Sequence, residues 1–361
     1  MAKRVSSDGG RARSGDDGAV QWLAATDARL AVRGLWWYEQ NGRSFCRLPV
    51  QAQGQVRDAV WALAQCPAGA NLCFRSDTTR MHVRAKLQER VPFAHMPTSG
   101  HSGLALYAGA PYNMRPAGVA FPEVDALEFE REIFSGRSAS MRDYALYLPL
   151  YNGLEMLELG VSRGACLAPP SPLAHDQPVV FYGTSITQGG CAHNPGADFV
   201  SILGRMLNLE TINLGFSGNG RGEPEMARLV AQINARLYVL DYVANADAAR
   251  LRHTLPRFVR ILRAAHPQTP IALLSRVVFT EDCLAAEGMR RHEELRDIVM
   301  RGYLRARRAG DRNLHFIDGN ALIPFGADLA YSDGAHPSNV GFQMMAQGLA
   351  PQLRRILLLE G

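Results

Sequence analysis

The feature that most constrains this chain is a change of hydrophobic period at Pro169-Pro170-Ser171-Pro172. Upstream of it, short runs alternate apolar and polar residues, most clearly Met81-His82-Val83-Arg84-Ala85. A period of two puts successive side chains on opposite faces of a pleated strand, so these runs read as half-buried strands. Similar runs lie at 71–75, 103–107, 126–133, 144–150 and 155–161, with turn signals between them and few helical stretches. They predict a β-sandwich of jelly-roll type over residues 19–170. Downstream, strand-like runs at 179–182, 211–214, 237–242, 271–274 and 315–317 alternate with helix-like runs near 197–208, 224–235, 250–265, 285–309 and 339–357. Strands separated by helices build a parallel sheet covered on both faces. A three-layer α/β/α domain is therefore predicted over 171–361, with ligands bound outside the carboxyl ends of its strands. The Pro-rich stretch is the linker between the two domains.

The length of 361 residues accommodates two domains, and 47% apolar residues provide a core for each. No apolar run approaches the roughly 20 residues that span a bilayer. The N-terminus is basic, but no apolar stretch follows, so it does not read as a secretory signal. Residues 1–18, rich in Gly, Ser and Asp, read as a disordered tail. Cys46, Cys66, Cys73, Cys166, Cys191 and Cys283 are scattered without a close pair. That spacing argues against a zinc site, gives no disulfide framework, and reads as free thiols in the cytoplasm. The net charge of +5 comes largely from helix-like stretches at 250–263 and 301–312. Solvated helix faces account for it, and a preference for anionic substrates is the second reading. There is no nucleic-acid motif and no internal repeat.

Four pieces fall at the carboxyl ends of predicted strands. The first is Gly183-Thr184-Ser185-Ile186-Thr187-Gln188-Gly189, where Gly183 permits a tight turn and Ser185 stands at the sheet edge. A serine there is also an ordinary helix N-cap, and the stretch is not the Gly-x-Ser-x-Gly elbow. The second is the loop Asn213-Leu214-Gly215-Phe216-Ser217-Gly218-Asn219-Gly220, able to bring backbone N–H groups to a ligand. It lacks the Gly-Lys-[Ser/Thr] of a phosphate cradle. The third is Asp241-Tyr242-Val243-Ala244-Asn245, whose terminal amide can donate to an oxyanion or simply shape a turn. The fourth is Ser332-Asp333-Gly334-Ala335-His336-Pro337-Ser338. Three residues apart on a short turn, Asp333 and His336 can meet carboxylate to imidazole; otherwise this is a surface turn before a helix capped by Ser338.

In order and position these pieces resemble the blocks of the SGNH (GDSL-like) hydrolase superfamily. The resemblance implies a flavodoxin-like α/β/α domain with Ser185 as nucleophile, His336 as general base and Asp333 orienting it. It implies an oxyanion hole from the Ser185 N–H, the Gly218 N–H and the Asn245 side chain, with no metal or organic cofactor. Gly218 fits better than Gly215, because the second block usually reads Ser-Gly. The upstream half resembles the small domain that precedes one bacterial SGNH subgroup, through Arg47-Leu48-Pro49, Ala59-Val60-Trp61, Arg75-Ser76-Asp77-Thr78 and Tyr147-Leu148-Pro149-Leu150-Tyr151-Asn152-Gly153. That domain is named for Gly-x-Asp-Leu-Tyr. Here it reads Gly103-Leu104-Ala105-Leu106-Tyr107, without the aspartate.

The chain departs from the family pattern elsewhere too. Thr184 replaces the usual first-block aspartate, Ala246 the usual aspartate after the asparagine, and Val243-Ala244 the usual Gly-Gly. None of these removes a reacting group. The expected substrate is a small-molecule or oligosaccharide acyl ester, and subgroup resemblance implies an acetyl ester of a carbohydrate. Thioesterase, lysophospholipase and acyltransferase chemistry on the same scaffold are alternatives, as is a non-catalytic carbohydrate-binding protein. Arg221, Glu223, His193, Asn194 and Arg276 are candidate substrate contacts, each with a solvated-loop alternative. Tyr107, Tyr147 and Tyr151 are candidate sugar-stacking residues, with core packing as the alternative. Oligomeric state is open.

Overall fold

The structure is a computed structural model, and it describes residues 20–91 and 93–358. The predicted tail at 1–18 lies outside the described residues. The upstream half is a sandwich of two antiparallel sheets. One sheet runs β1 (Val20–Ala24), β9 (Leu154–Ser162), β4 (Met81–Leu87) and β7 (Glu128–Phe134). The other runs β10 (Leu167–Ala168), β3 (Asn71–Ser76), β8 (Arg142–Tyr147), β5 (Leu104–Gly109) and β6 (Arg115–Ala120), with β2 (Ala31–Arg33) also on β3. In β4 the alternation is followed residue by residue: Met81, Val83, Ala85 and Leu87 are buried between the sheets, while His82, Arg84 and Lys86 are only half-buried.

β5 has no such alternation because both its faces are covered. Leu104 and Leu106 join the sandwich core, whereas Ala105 and Tyr107 belong to a separate buried cluster with Cys73, Ala145 and Tyr147. Two helices interrupt this half, α1 (Asp58–Ala64) and α2 (Thr98–His101). Four strand-forming stretches have no counterpart among the predicted runs, β1, β2, β6 and β10. Each is short or only partly buried, and β6 (Arg-Pro-Ala-Gly-Val-Ala) carries a proline and a glycine that strands disfavour.

The downstream half is a five-stranded parallel sheet in the order β12 (Thr211–Gly215), β11 (Val179–Gly183), β13 (Leu237–Asp241), β14 (Ile271–Leu274) and β15 (Leu314–Ile317). In chain order this is 2-1-3-4-5, the flavodoxin-like arrangement, whose switch point lies between its first and third strands. Alternate strand residues face opposite layers. Val180, Tyr182, Leu240 and Leu273 pack with α5 (Pro224–Val230), α6 (Ala248–Ala265) and α8 (Gly288–Arg308). Val179, Phe181, Val239 and Leu274 pack with α4 (Phe199–Leu207) and α9 (Asn339–Leu357). Two short helices, α3 (Ser185–Gln188) and α7 (Thr280–Leu284), sit in the loops at the carboxyl edge.

The two halves share buried surface. Trp37, Leu48, Val60 and Ala64 lie in the same apolar cluster as α5, α6 and α8. Arg47, 1% exposed, is the polar centre of this seam. Its guanidinium donates to the carbonyls of Asn213 (3.0 Å) and Gly215 (2.7 Å) at the end of β12, and to those of Cys66 (2.6 Å) and Leu63 (2.8 Å). It also stacks on Phe216, 4.8 Å from the ring centre. Burial pulls its pKa down to about 10. Among the described residues no helix is long and apolar enough to cross a membrane.

Candidate active site

Ser185 is the first residue of α3, directly after β11, at the switch point of the sheet. Its position is fixed by a reciprocal cap. The Thr184 hydroxyl accepts from the Ile186 N–H at 3.3 Å, and the Thr184 N–H donates to Thr187 Oγ1 at 3.2 Å. Gly183 was expected to supply a tight turn. It has no left-handed backbone, and the reason for glycine is space: an added Cβ would stand 1.9 Å from Thr187 Oγ1 and 2.6 Å from the Asp241 carbonyl. Thr187 in turn donates to Asp241 Oδ2 at 2.8 Å. Asp241 is buried at the end of β13, and that burial pushes its carboxyl up to about 7 against the pull of the Thr187 hydroxyl.

Ser185 Oγ lies 2.9 Å from His336 Nε2, and His336 Nδ1 lies 2.9 Å from Asp333 Oδ2. The turn carrying the pair is closed by a bridge between Tyr331 and Pro337 and by a 2.9 Å bond from the Ser332 N–H to the His336 carbonyl. Ser338 behind it caps α9, accepting from Val340 and Gly341. Both readings of that segment therefore hold together. Asp333 Oδ1 accepts the N–H groups of Ala335 (2.8 Å) and His336 (2.6 Å). Partial burial alone would raise the Asp333 carboxyl; these N–H bonds and the imidazole outweigh it and hold the pKa below the ordinary value. A hydroxyl on Nε2 of a ring whose Nδ1 meets a carboxylate can lose its proton to that ring while attacking an electrophilic carbon.

The loop after β12 stands beside Ser185. Gly218 has φ +65°, in the left-handed region, and an added Cβ would meet nothing within 4 Å, so backbone conformation rather than space selects glycine here. The N–H groups of Ser185 and Gly218 donate to no described residue. Asn245 ends a single 3-10 turn after β13, and its Nδ2 makes a 3.4 Å bond to the Phe216 carbonyl in the same loop. Gln188, fully buried, spans the gap between these parts. Its Oε1 accepts the Ser217 N–H at 3.0 Å and its Nε2 donates to the Leu150 carbonyl at 3.0 Å.

The candidate substrate contacts are placed differently. Arg276 is 8% exposed and locked in a bidentate pair with Asp282 at 2.6 and 2.7 Å, which corrects the expectation that it faces substrate. Glu223 pairs with Arg57 at 2.7 Å and accepts from the Tyr182 hydroxyl at 3.4 Å, so its carboxylate also serves the seam. Arg221 folds back on the Gly218 carbonyl at 2.9 Å. His193 is exposed, its N–H held by Asn339 Oδ1 at 3.0 Å, and Asn194 donates to the Tyr107 hydroxyl at 3.4 Å. Tyr107, Tyr147 and Tyr151 are all buried, so packing is their role. Gln188, Asp241 and Arg47 were not singled out from sequence as site residues. Neither was the loop before α2, where the Phe93 ring packs tilted against Tyr151 (4.8 Å between centres) and the His95 ring stands 6.4 Å from that of His336. The Gln three residues after Ser185, at the end of the Gly183–Gln188 motif, was the one available signal.

Residues 176–354 match the GDSL-like Lipase/Acylhydrolase family, and residues 20–167 match GxDLY, the N-terminus of Esterase_SGNH_hydro-type proteins. None of the curated proteins matches the chain. Among solved structures, a protein from Bacteroides ovatus named as a GDSL-like lipase is 26% identical, with 94% of this chain and 99% of that one covered at a TM-score of 0.86. A salicylyl-acyltransferase from a tetracycline biosynthetic pathway is 23% identical, covering 97% and 99% at a TM-score of 0.77. A family two carbohydrate esterase from Cellvibrio japonicus is 16% identical, covering 94% and 98% at a TM-score of 0.61. These last two likenesses establish the fold. With both halves matched, the chain belongs to the SGNH (GDSL-like) hydrolases, in the group whose hydrolase domain follows a GxDLY-type sandwich.

Proposed function

We propose that this protein is a serine esterase that removes short acyl groups, acetyl foremost, from a carbohydrate. The observation that carries the reading is the unbroken line from Ser185 Oγ through His336 to Asp333, with both contacts at 2.9 Å. Ser185 attacks the acyl carbon while His336 Nε2 takes its proton, and Asp333 holds the imidazolium formed. The Ser185 and Gly218 N–H groups and the Asn245 amide receive the oxyanion; each such donor lowers the barrier by roughly 3–4 kcal/mol. The alcohol leaves with the His336 proton, and water then releases the acyl group by the same steps in reverse. The carbohydrate enters from the esterases that share the fold.

A second reading, transfer of a bulkier acyl group to an acceptor other than water, draws on one feature. A groove of about 410 Å³, walled by Val278, Phe279, Ile323, Phe325 and Tyr331, abuts Asp333. The acyltransferase neighbour is in keeping with it. The test is a panel of acetylated sugars, p-nitrophenyl esters from acetate to octanoate, an aryl ester and an acyl thioester, each with and without a sugar acceptor. Turnover falling beyond butyrate supports the deacetylase. Turnover rising with acyl size supports the second reading. No turnover, with Ser185 unlabelled by a fluorophosphonate, overturns both.

A further inference from the structure

Cys191 lies beside the Ser185–His336–Asp333 line without belonging to it. It follows the glycines that end α3, adopts φ +70°, and is 2% exposed. Its Sγ stands 4.0 Å from Asp333 Oδ2, the oxygen that meets His336 Nδ1 at 2.9 Å. One donor atom from each of the three residues lies within 4.8 Å of the other two. Around a tetrahedral zinc ion with bonds of roughly 2.0–2.3 Å, such atoms stand roughly 3.3–3.7 Å apart. The Asp–His contact must therefore open by roughly 0.4 Å or more, and the sulfur must close by about 0.5 Å on Asp333 Oδ2 and by up to about 1.3 Å on the His336 donor atom. Thiolate, imidazole and carboxylate are the donors that zinc takes. A fourth is near: the exposed His95 has its carbonyl 3.9 Å from Cys191 Sγ and its ring 6.4 Å from that of His336. Asp333 and His336 are partly exposed, which gives an ion a way in.

We propose that Cys191, Asp333 and His336, with His95 completing the set, bind a thiophilic divalent cation of the zinc type, and that the bound ion switches the esterase off. The inhibition rests on the function proposed above; the binding does not. An ion on His336 Nδ1 takes the lone pair that this nitrogen gains when its proton passes to Nε2. Nε2 then donates to Ser185 Oγ and no longer accepts its proton. The Cys191 thiol, which burial holds up at about 11 in the free protein, gives its proton to solvent as the sulfur–metal bond forms. No electron changes hands, and a chelator reverses every step. The site is assembled from three separate segments, so no cysteine spacing announces it.

The experiment is a titration of the whole protein with Co²⁺, read by the near-ultraviolet band of thiolate-to-cobalt charge transfer, in wild type, S185A, C191S and C191A. The expected result is a band in wild type and S185A that Zn²⁺ displaces, and no band in either Cys191 variant. In parallel, Zn²⁺ inhibits ester turnover reversibly by EDTA, and the half-inhibiting concentration rises at least ~10-fold in C191S, each variant referred to its own metal-free rate. No band in wild type, or the same band in C191S and C191A, overturns the proposal, as does equal inhibition of wild type and C191S. A band in wild type and S185A without any ester turnover refutes the esterase and leaves the metal site standing.

Discussion

Replacing Asp333 by asparagine isolates one link of the proposed mechanism, because the structure dictates how the amide will sit. In the native turn Asp333 Oδ1 accepts two backbone N–H groups, from Ala335 and His336. An amide NH₂ cannot take that place, so the Asn carbonyl oxygen stays there and the NH₂ faces His336 Nδ1. It donates to Nδ1, which must then be the unprotonated nitrogen, and the ring proton moves to Nε2. Nε2 next donates to Ser185 Oγ across the 2.9 Å contact instead of accepting from it. The ring is held in the wrong tautomer while every heavy atom stays in place. The expected fall in kcat is about 10⁴-fold, equivalent to ~5.5 kcal/mol of barrier. KM changes less than about threefold, because the carboxylate touches no substrate atom. The two N–H bonds survive, so the melting temperature moves by no more than a few degrees, as roughly 1 kcal/mol or less of exposed ion-pair stabilisation implies. Initial rates on p-nitrophenyl acetate, with active-site titration to count competent enzyme, measure the effect. Imidazole nitrogen shifts report the tautomer. A D333N enzyme keeping a tenth or more of wild-type kcat would refute the reasoning.

Ser185→Ala is expected to lower ester turnover at least ~10⁴-fold and to end fluorophosphonate labelling with an unchanged melting curve; a variant keeping a tenth or more of wild-type kcat would need another nucleophile. Gln188→Leu removes the acceptor of the Ser217 N–H and frees the Gly218 loop, lowering kcat by about 10–100-fold with KM little changed. A loss confined to stability would make Gln188 a packing residue only. For Asp241, burial raises the folded-state pKa from 3.8 to about 7, so the unfolded chain ionises first. Above about pH 4 ionisation therefore opposes folding, a penalty that grows until about pH 7 and reaches the order of 4 kcal/mol. Asp241→Asn escapes it while keeping an acceptor for Thr187, so its stability gain over wild type should widen between about pH 4.5 and 7.5 in denaturant melts. A gain independent of pH would mean the carboxyl is not held protonated.

The parallel sheet and its covering helices were legible because the β11, β12, β13 and β14 runs are buried on both faces and end abruptly at turn chemistry. Ser185, Asp333 and His336 were legible because Ser185 directly follows a strand and the Asp–His pair occupies one short turn before a helix, so each motif survives as a string. Gln188 and Asp241 were not. Their importance comes from burial against partners that are distant in sequence, Leu150 and Ser217 for one and Thr187 for the other. Arg276 misled for the same reason in reverse: its position at the edge was right, but Asp282, six residues on, had already claimed its charge. In the sandwich, β5 escaped a clean period because Arg205 and Asn194 of the downstream half cover the face that solvent would otherwise mark with polar residues.

Arg47 gives the two halves a common fate. Its guanidinium ties the carbonyl ends of β12, immediately before the Gly218 loop, to the segment that follows the first sandwich strands. Any drift of one half against the other pulls on that strand end before it is felt elsewhere. The sandwich is thus a foundation stone for the loop that would grip the reacting oxygen, and substitutions accumulating along the seam become a way to tune turnover without touching a single group in the cleft.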